Sequence, residues 1–101
     1  MTILNTTFIV ADHLMDQFLG WARQAYIPAL REAGIFSDPT MAKVLAQVEP
    51  GATSIAIQAR CGELSAATRW HDETAALLKE DLTARFGQQV LFFTTYMEVL
   101  E

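Results

Sequence analysis

Hydrophobic and polar positions alternate from the start of the chain. Thr2 to Val10 (TILNTTFIV) is rich in Ile, Thr, Phe and Val and carries no breaker, so it reads as a strand. Ile3 and Ile9 fall on one side of it, Leu4 and Phe8 on the other. After Asp12, a candidate N-cap, the period changes. From His13 to about Ala33, Leu14, Phe18, Trp21, Ala22, Ala25 and Ala29 form one broad stripe, with Asp16, Arg23 and Gln24 away from it. That is an amphipathic helix. Pro28 lacks a backbone donor and predicts a kink or a restart near Tyr26 and Ile27; Gly34 is the natural stop. The stretch FSDPT (36–40) is a turn by composition. Met41 to Val48 and Thr53 to Cys61 read as short strands joined by EPGA (49–52). In the later one, Ile55, Ile57, Ala59 and Cys61 share a face opposite Ser54, Gln58 and Arg60. A second helix is expected from about Glu63 to Phe86, with Gly87 ending it. Its stripe is Leu64, Ala67, Ala75, Leu78, Leu82 and Phe86. The last strand, Gln89 to Leu100, is apolar on both faces. Leu91, Phe93, Met97 and Val99 lie on one side, and Val90, Phe92, Tyr96 and Leu100 on the other.

The element order is therefore β-α-β-β-α-β. This is the ferredoxin-like α+β arrangement, a four-stranded antiparallel sheet with two helices on one face. Right-handed crossovers place the first and third strands in the centre. Residues 1–101 form one expected domain, with no repeat, linker or low-complexity tract. Two helices cover one sheet face only. The other face of such a sheet is normally polar, but here the first and last strands are apolar on both sides. An uncovered apolar face marks an interaction surface. The expectation is a homodimer packed sheet against sheet, the dimeric α/β barrel. The alternative is a monomer whose open face is kept wet by threonines, Gln58, Arg60 and Lys43.

Composition narrows the partners. The chain is 51% hydrophobic and 19% charged, which suits an ordered globule. Its net charge is -5 and its seven basic residues are scattered. Neither a nucleic-acid backbone nor an anionic membrane surface is an expected partner. No apolar run reaches membrane-span length, and MTILNTTFIV lacks the charged start of a signal peptide. Cys61 is the sole cysteine and fits a reducing compartment; a cytoplasmic location is expected.

Candidate chemistry concentrates in RWHDET (69–74). Neighbours on a helix point about 100° apart, so Asp72 and Glu73 cannot both serve His71. The positions three and four residues either side of His71 are Ala67, Thr68, Thr74 and Ala75, none a usual ligand, so no metal site is expected. His71 lies at the centre of the apolar stripe and points at the sheet, with Trp70 to one side. It is either a core histidine satisfied by one hydrogen bond or the polar wall of a cavity between helix and sheet. Asn5 is an amide in a strand, where Asn is disfavoured; a backbone bond at a bulge or a ligand contact would account for it. The candidate ligand-binding set is Asn5, Trp70, His71 and Tyr96, facing a possible small apolar ligand. No cofactor is expected. There is no Ser-His-Asp order, Gly-rich phosphate loop or cysteine pair. With two histidines and no convergent titratable set, a binding or interaction module is the leading reading. A small-molecule binder or cofactor-independent oxygenase is the alternative.

LNTTFIV (4–10), YIPAL (26–30), GIFSDP (34–39), KVLAQVEPGATSIAIQ (43–58) and RFGQQVLFFTTYMEVL (85–100) together make the chain resemble a small bacterial family of about a hundred residues, domain-of-unknown-function family 4286. The resemblance spans nearly the whole chain. It implies the fold and adds no reaction. LSAATRWH (64–71) is less charged than that family's second helix. At fold level the chain is also similar to the antibiotic-biosynthesis and haem-degrading monooxygenases. Those dimeric barrels can use an Asn on the first strand with a Trp or His on the second helix, which here would be Asn5, Trp70 and His71. In the haem-degrading enzymes the Trp and His stand apart on the helix, whereas here they are neighbours.

Overall fold

A computed structural model of the chain describes residues 1–46 and 49–101. Four strands, β1 (Thr2–Ala11), β2 (Phe36–Lys43), β3 (Ala52–Cys61) and β4 (Val90–Glu98), form one antiparallel sheet in the order β2-β3-β1-β4. The first and third strands are central, as the crossover rule requires. Two helices (residues 15–32 and 64–86) connect the strands, giving the ferredoxin-like α+β fold. The extents are 36 × 28 × 17 Å, and the thin dimension is one sheet plus one helix layer.

Register sorts the side chains. Directly paired residues share a sheet face. Thr6 lies opposite Ile57 and Thr94, and Phe8 opposite Ile55 and Phe92. The face bearing Leu4, Thr6, Phe8 and Val10 is buried and carries the core. Phe8 stands at its centre, its ring 5.1 Å from Phe18, 5.5 Å from Tyr26 and 6.1 Å from Phe92.

Both helices contain one wide π-helical turn. In the first, Ala22–Tyr26 separates two α-helical stretches, Met15–Trp21 and Ile27–Glu32, and the Ile27 amide donates five residues back to the Ala22 carbonyl. Pro28 follows directly and cannot donate to the carbonyl four residues behind it; the helix restarts at Ile27, where the sequence placed it. The second helix repeats the device. His71–Ala75 lies between Leu64–Trp70 and Ala76–Phe86, and the Ala76 amide donates to the His71 carbonyl. A π-turn holds one extra residue, and in the first helix the buried stripe slips by one position: Tyr26 and Leu30 are buried where Ala25 and Ala29 were expected. In the second, Ala67, Ala75 and Leu82 are buried as expected, while Leu64, at the helix start, is 52% exposed.

Three further expectations are corrected. Asp12 caps no helix: Asp12–Leu14 is a 3-10 turn, and the Asp12 carboxylate instead accepts the Thr53 hydroxyl at 2.7 Å. FSDPT is no free turn but the start of β2, because Phe36 pairs with Cys61 and packs on Trp70 at 5.2 Å. The turn chemistry appears as a register shift between Ser37 and Thr40, with Asp38 at φ 54°. Among residues other than glycine, a short polar one adopts that left-handed geometry most readily, and Pro39 is tolerated because β2 is an edge strand. The expected strand Met41–Val48 ends at Lys43; Gln47 and Val48 lie outside the described residues. Gly87, at φ 59°, ends the second helix as expected.

Candidate functional site

Thr6 is fully buried on central strand β1, and a hydroxyl in an apolar layer needs a partner. It has two. Tyr26 donates to Thr6 Oγ1 at 3.3 Å, and Thr6 and Thr94 hydroxyls meet at 2.9 Å. Lys79 Nζ then donates to Thr94 Oγ1 at 2.8 Å and lies 2.7 Å from His71 Nε2. His71 Nδ1 is 3.5 Å from an Asp72 carboxylate oxygen. The result is a continuous polar line, Tyr26–Thr6–Thr94–Lys79–His71–Asp72, crossing the helix–sheet interface from core to surface. Among the described residues no buried side-chain nitrogen or oxygen lacks a partner.

A protonated Lys79 has no lone pair and must donate, so His71 Nε2 then accepts, and the neutral ring carries its proton on Nδ1 beside Asp72. Burial lowers the Lys79 amine to about 8. The amine sits 5.0 Å above the Phe92 ring centre, and its residue is 8% exposed. Burial, then the neighbouring Lys79 charge, lower His71 below 6.5, while Asp72 opposes them. Burial raises Tyr26 to about 12. Tyr96 is also raised, by burial and then by Asp72.

Lys79 was missed by periodicity. Eight residues at about 100° each leave its side chain roughly 80° from that of His71. The extra residue in the π-turn His71–Ala75 reduces this to the equivalent of seven steps, about 20° out. Helical side chains lean toward the N-terminus, so the lysine reaches back along its own helix. The available signal was a lysine four residues beyond Ala75 in an otherwise apolar stripe.

Of the four sequence candidates, two meet. The Tyr96 ring stands edge-on to His71 with centres 6.1 Å apart. Asn5 is on the opposite sheet face, beside Gln58 and Thr95, where its amide donates to Thr7 Oγ1 at 3.1 Å; β1 has no bulge there. Trp70 is core, edge-on to Tyr26 and Phe36, since the residue before His71 points a third of a turn away. Cys61 is buried, as its strand face implied. The surface clefts among the described residues include five of about 280 to 590 Å3. His71 and Lys79 line none of these five; the smallest, at Thr2, Leu64 and Met97, is walled by Tyr96.

The second feature is the open sheet face. Leu91, Phe93 and Met97 point away from the helices and are 51%, 53% and 40% exposed. Beside them, Thr7, Ile9, Val44, Ala52, Ser54 and Phe93 line a mostly apolar cleft of about 370 Å3. No helix among the described residues is long and apolar enough to cross a membrane.

The same architecture recurs in solved structures. A candidate antibiotic biosynthesis monooxygenase from Deinococcus radiodurans superposes with a TM-score of 0.75 at 17% identity, over 100% of this chain and 94% of that one. HapK from Hahella chejuensis gives 0.68 at 13% identity, over 99% and 93%. A dimeric ferredoxin-like protein from an uncultured marine organism gives 0.67 at 11% identity, over 99% and 95%. Such low identities establish a shared fold and no shared activity. The chain belongs to the domain-of-unknown-function family DUF4286, whose model matches residues 1–100. No curated protein matches it.

Proposed function

We propose that the protein is a one-domain cytoplasmic homodimer, joined through the open sheet face, that works as a binding module. The observation that carries this is the exposure of Leu91, Phe93 and Met97 on a face that the two helices leave uncovered. Burying such side chains is worth roughly 25 cal/mol per Å2, and a second copy presents the matching surface by symmetry. The dimeric ferredoxin-like protein of the same fold supports the reading. The small-molecule alternative rests on His71, which meets the Tyr96 ring edge-on and the Lys79 amine at Nε2; Asn5 and Trp70 do not join them.

Light scattering after gel filtration tests the dimer. The expected mass is twice 11.2 kDa at micromolar concentration, and Phe93→Glu returns it to one chain with the melt intact. A native protein of one-chain mass would overturn the reading.

A further inference from the structure

Lys79 is one of two lysines in the chain, and its surroundings are unusual for a lysine. Among the described residues the close carboxylate contacts of basic side chains are His71–Asp72 and Arg85–Asp81, so no carboxylate partners the Lys79 amine. Its neighbours are a ring nitrogen at 2.7 Å, a threonine hydroxyl at 2.8 Å and the Phe92 ring face. A neutral amine that donates one N–H to each of the first two contacts keeps its lone pair. His71, its side chain 24% exposed, places Nε2 within 2.7 Å of this amine, where it can take up a proton.

We propose that Lys79 Nζ is a site for reversible covalent binding of small neutral aldehydes, with His71 handling the proton. The nitrogen lone pair adds to the carbonyl carbon, and the carbonyl π pair moves to oxygen. His71 Nε2 carries one nitrogen proton to the alkoxide, giving the carbinolamine hydroxyl, and then a second nitrogen proton to that hydroxyl as the C–O bond breaks, so both amine hydrogens leave in the water. Water leaves, and an imine joins the aldehyde carbon to Nζ. No oxidant or reductant is consumed, and hydrolysis reverses the step. The Phe92 face stabilises the cationic iminium form. Desolvated lysines are activated nucleophiles for carbonyls, and the lowered Lys79 amine agrees with that state. The charged and titratable groups around it are His71 and Asp72 on its own helix, Tyr96 on β4 and, through Thr94 and Thr6, Tyr26 of the first helix. The one full charge in that set is negative, at Asp72, which disfavours keto acids and other anionic carbonyls. An amine on a residue only 8% exposed restricts the class to short chains.

The test is reductive labelling of the full protein with butanal and sodium cyanoborohydride, read by peptide mapping. Exposed Lys43 is the internal reference, and the N-terminal amine is scored separately. Lys79 is expected to label at least about tenfold faster than Lys43 at pH 7. Its rate should saturate with butanal concentration and reach half of its alkaline maximum near pH 8. His71→Phe should slow Lys79 by roughly fivefold or more while leaving Lys43 unchanged; Lys79→Arg should leave label at Lys43 and the N-terminus alone. Lys79 labelling no faster than Lys43, or a rate linear in butanal across the millimolar range, would overturn the proposal. Neither outcome depends on the sheet-face dimer.

Discussion

Lys79 and His71 stand eight residues apart on one helix, yet Nζ and Nε2 are 2.7 Å apart. The contact exists because the π-turn His71–Ala75 brings both side chains to the sheet-facing side. It leaves a cationic group in a place that favours the neutral form, and this has consequences for stability.

The pH dependence of unfolding should be two-sided. Lys79 is lowered to about 8 in the folded chain from an unfolded value near 10.4. Between those values the unfolded chain binds more protons, so stability rises with pH through that window and is at its lowest below pH 8. Tyr26 is raised to about 12 from near 10, so stability falls as pH climbs from 10 toward 12. Thermal melts across pH 7–12 should peak near pH 10. A monotonic decline from pH 7 would contradict the buried amine.

Lys79→Met removes a poorly solvated cation and keeps the chain length. At pH 7 its melting temperature should rise by about 4–8 °C per kcal/mol gained, and the rise between pH 8 and 10 should vanish. In the same variant the His71 ring should titrate at higher pH than in the parent, because the Lys79 charge that lowers it is gone. Proton NMR titration of the histidines reads this directly.

Trp21 Nε1 donates to Asp81 Oδ2 at 3.0 Å, and Arg85 Nε meets the same oxygen at 3.0 Å. This joins the two helices at the edge of the core. Asp81→Ala leaves a nearly buried indole N–H unpaired and should cost about 1–3 kcal/mol in urea unfolding. Arg85→Ala, which breaks an exposed pair, should cost under about 1 kcal/mol.

The π-turns should tolerate a deletion that regular helix does not. Removing exposed Glu73 from His71–Ala75 closes the wide turn and leaves both flanking faces where they are. Removing exposed Glu80 turns Leu82 and Phe86 about 100° away from the core. Circular dichroism melts should show the Glu73 deletion folded and the Glu80 deletion unfolded at 37 °C.

Period-two alternation in β1, β3 and β4 made the sheet legible, since each strand buries one set of side chains and the register is rigid. The open face could be read for the same reason. The helices were legible as elements, and the second kept its expected phase at Ala67, Ala75 and Leu82, but the first did not keep its own beyond Ala22. No residue type marks a π-turn, so Ala25 and Ala29 were placed on a stripe that Tyr26 and Leu30 occupy instead, and Lys79 was not added to the second stripe. β2 was misplaced because Asp38 and Pro39 signal a turn, and only pairing with β3 shows that the turn is absorbed inside a strand. The candidate site suffered most. His71 and Tyr96 were found by composition, whereas Lys79, a charged residue on a buried face, runs against the general expectation for lysine.

The irregular edge of β2 also limits what this chain can become. A strand adding there would meet a left-handed step at Asp38 and a missing donor at Pro39. Cross-β stacking needs a flat, fully donating edge, so ribbon growth is obstructed on that side. A protein that exposes Leu91, Phe93 and Met97 on a sheet face carries an aggregation hazard, and this kink gives its solubility one structural safeguard.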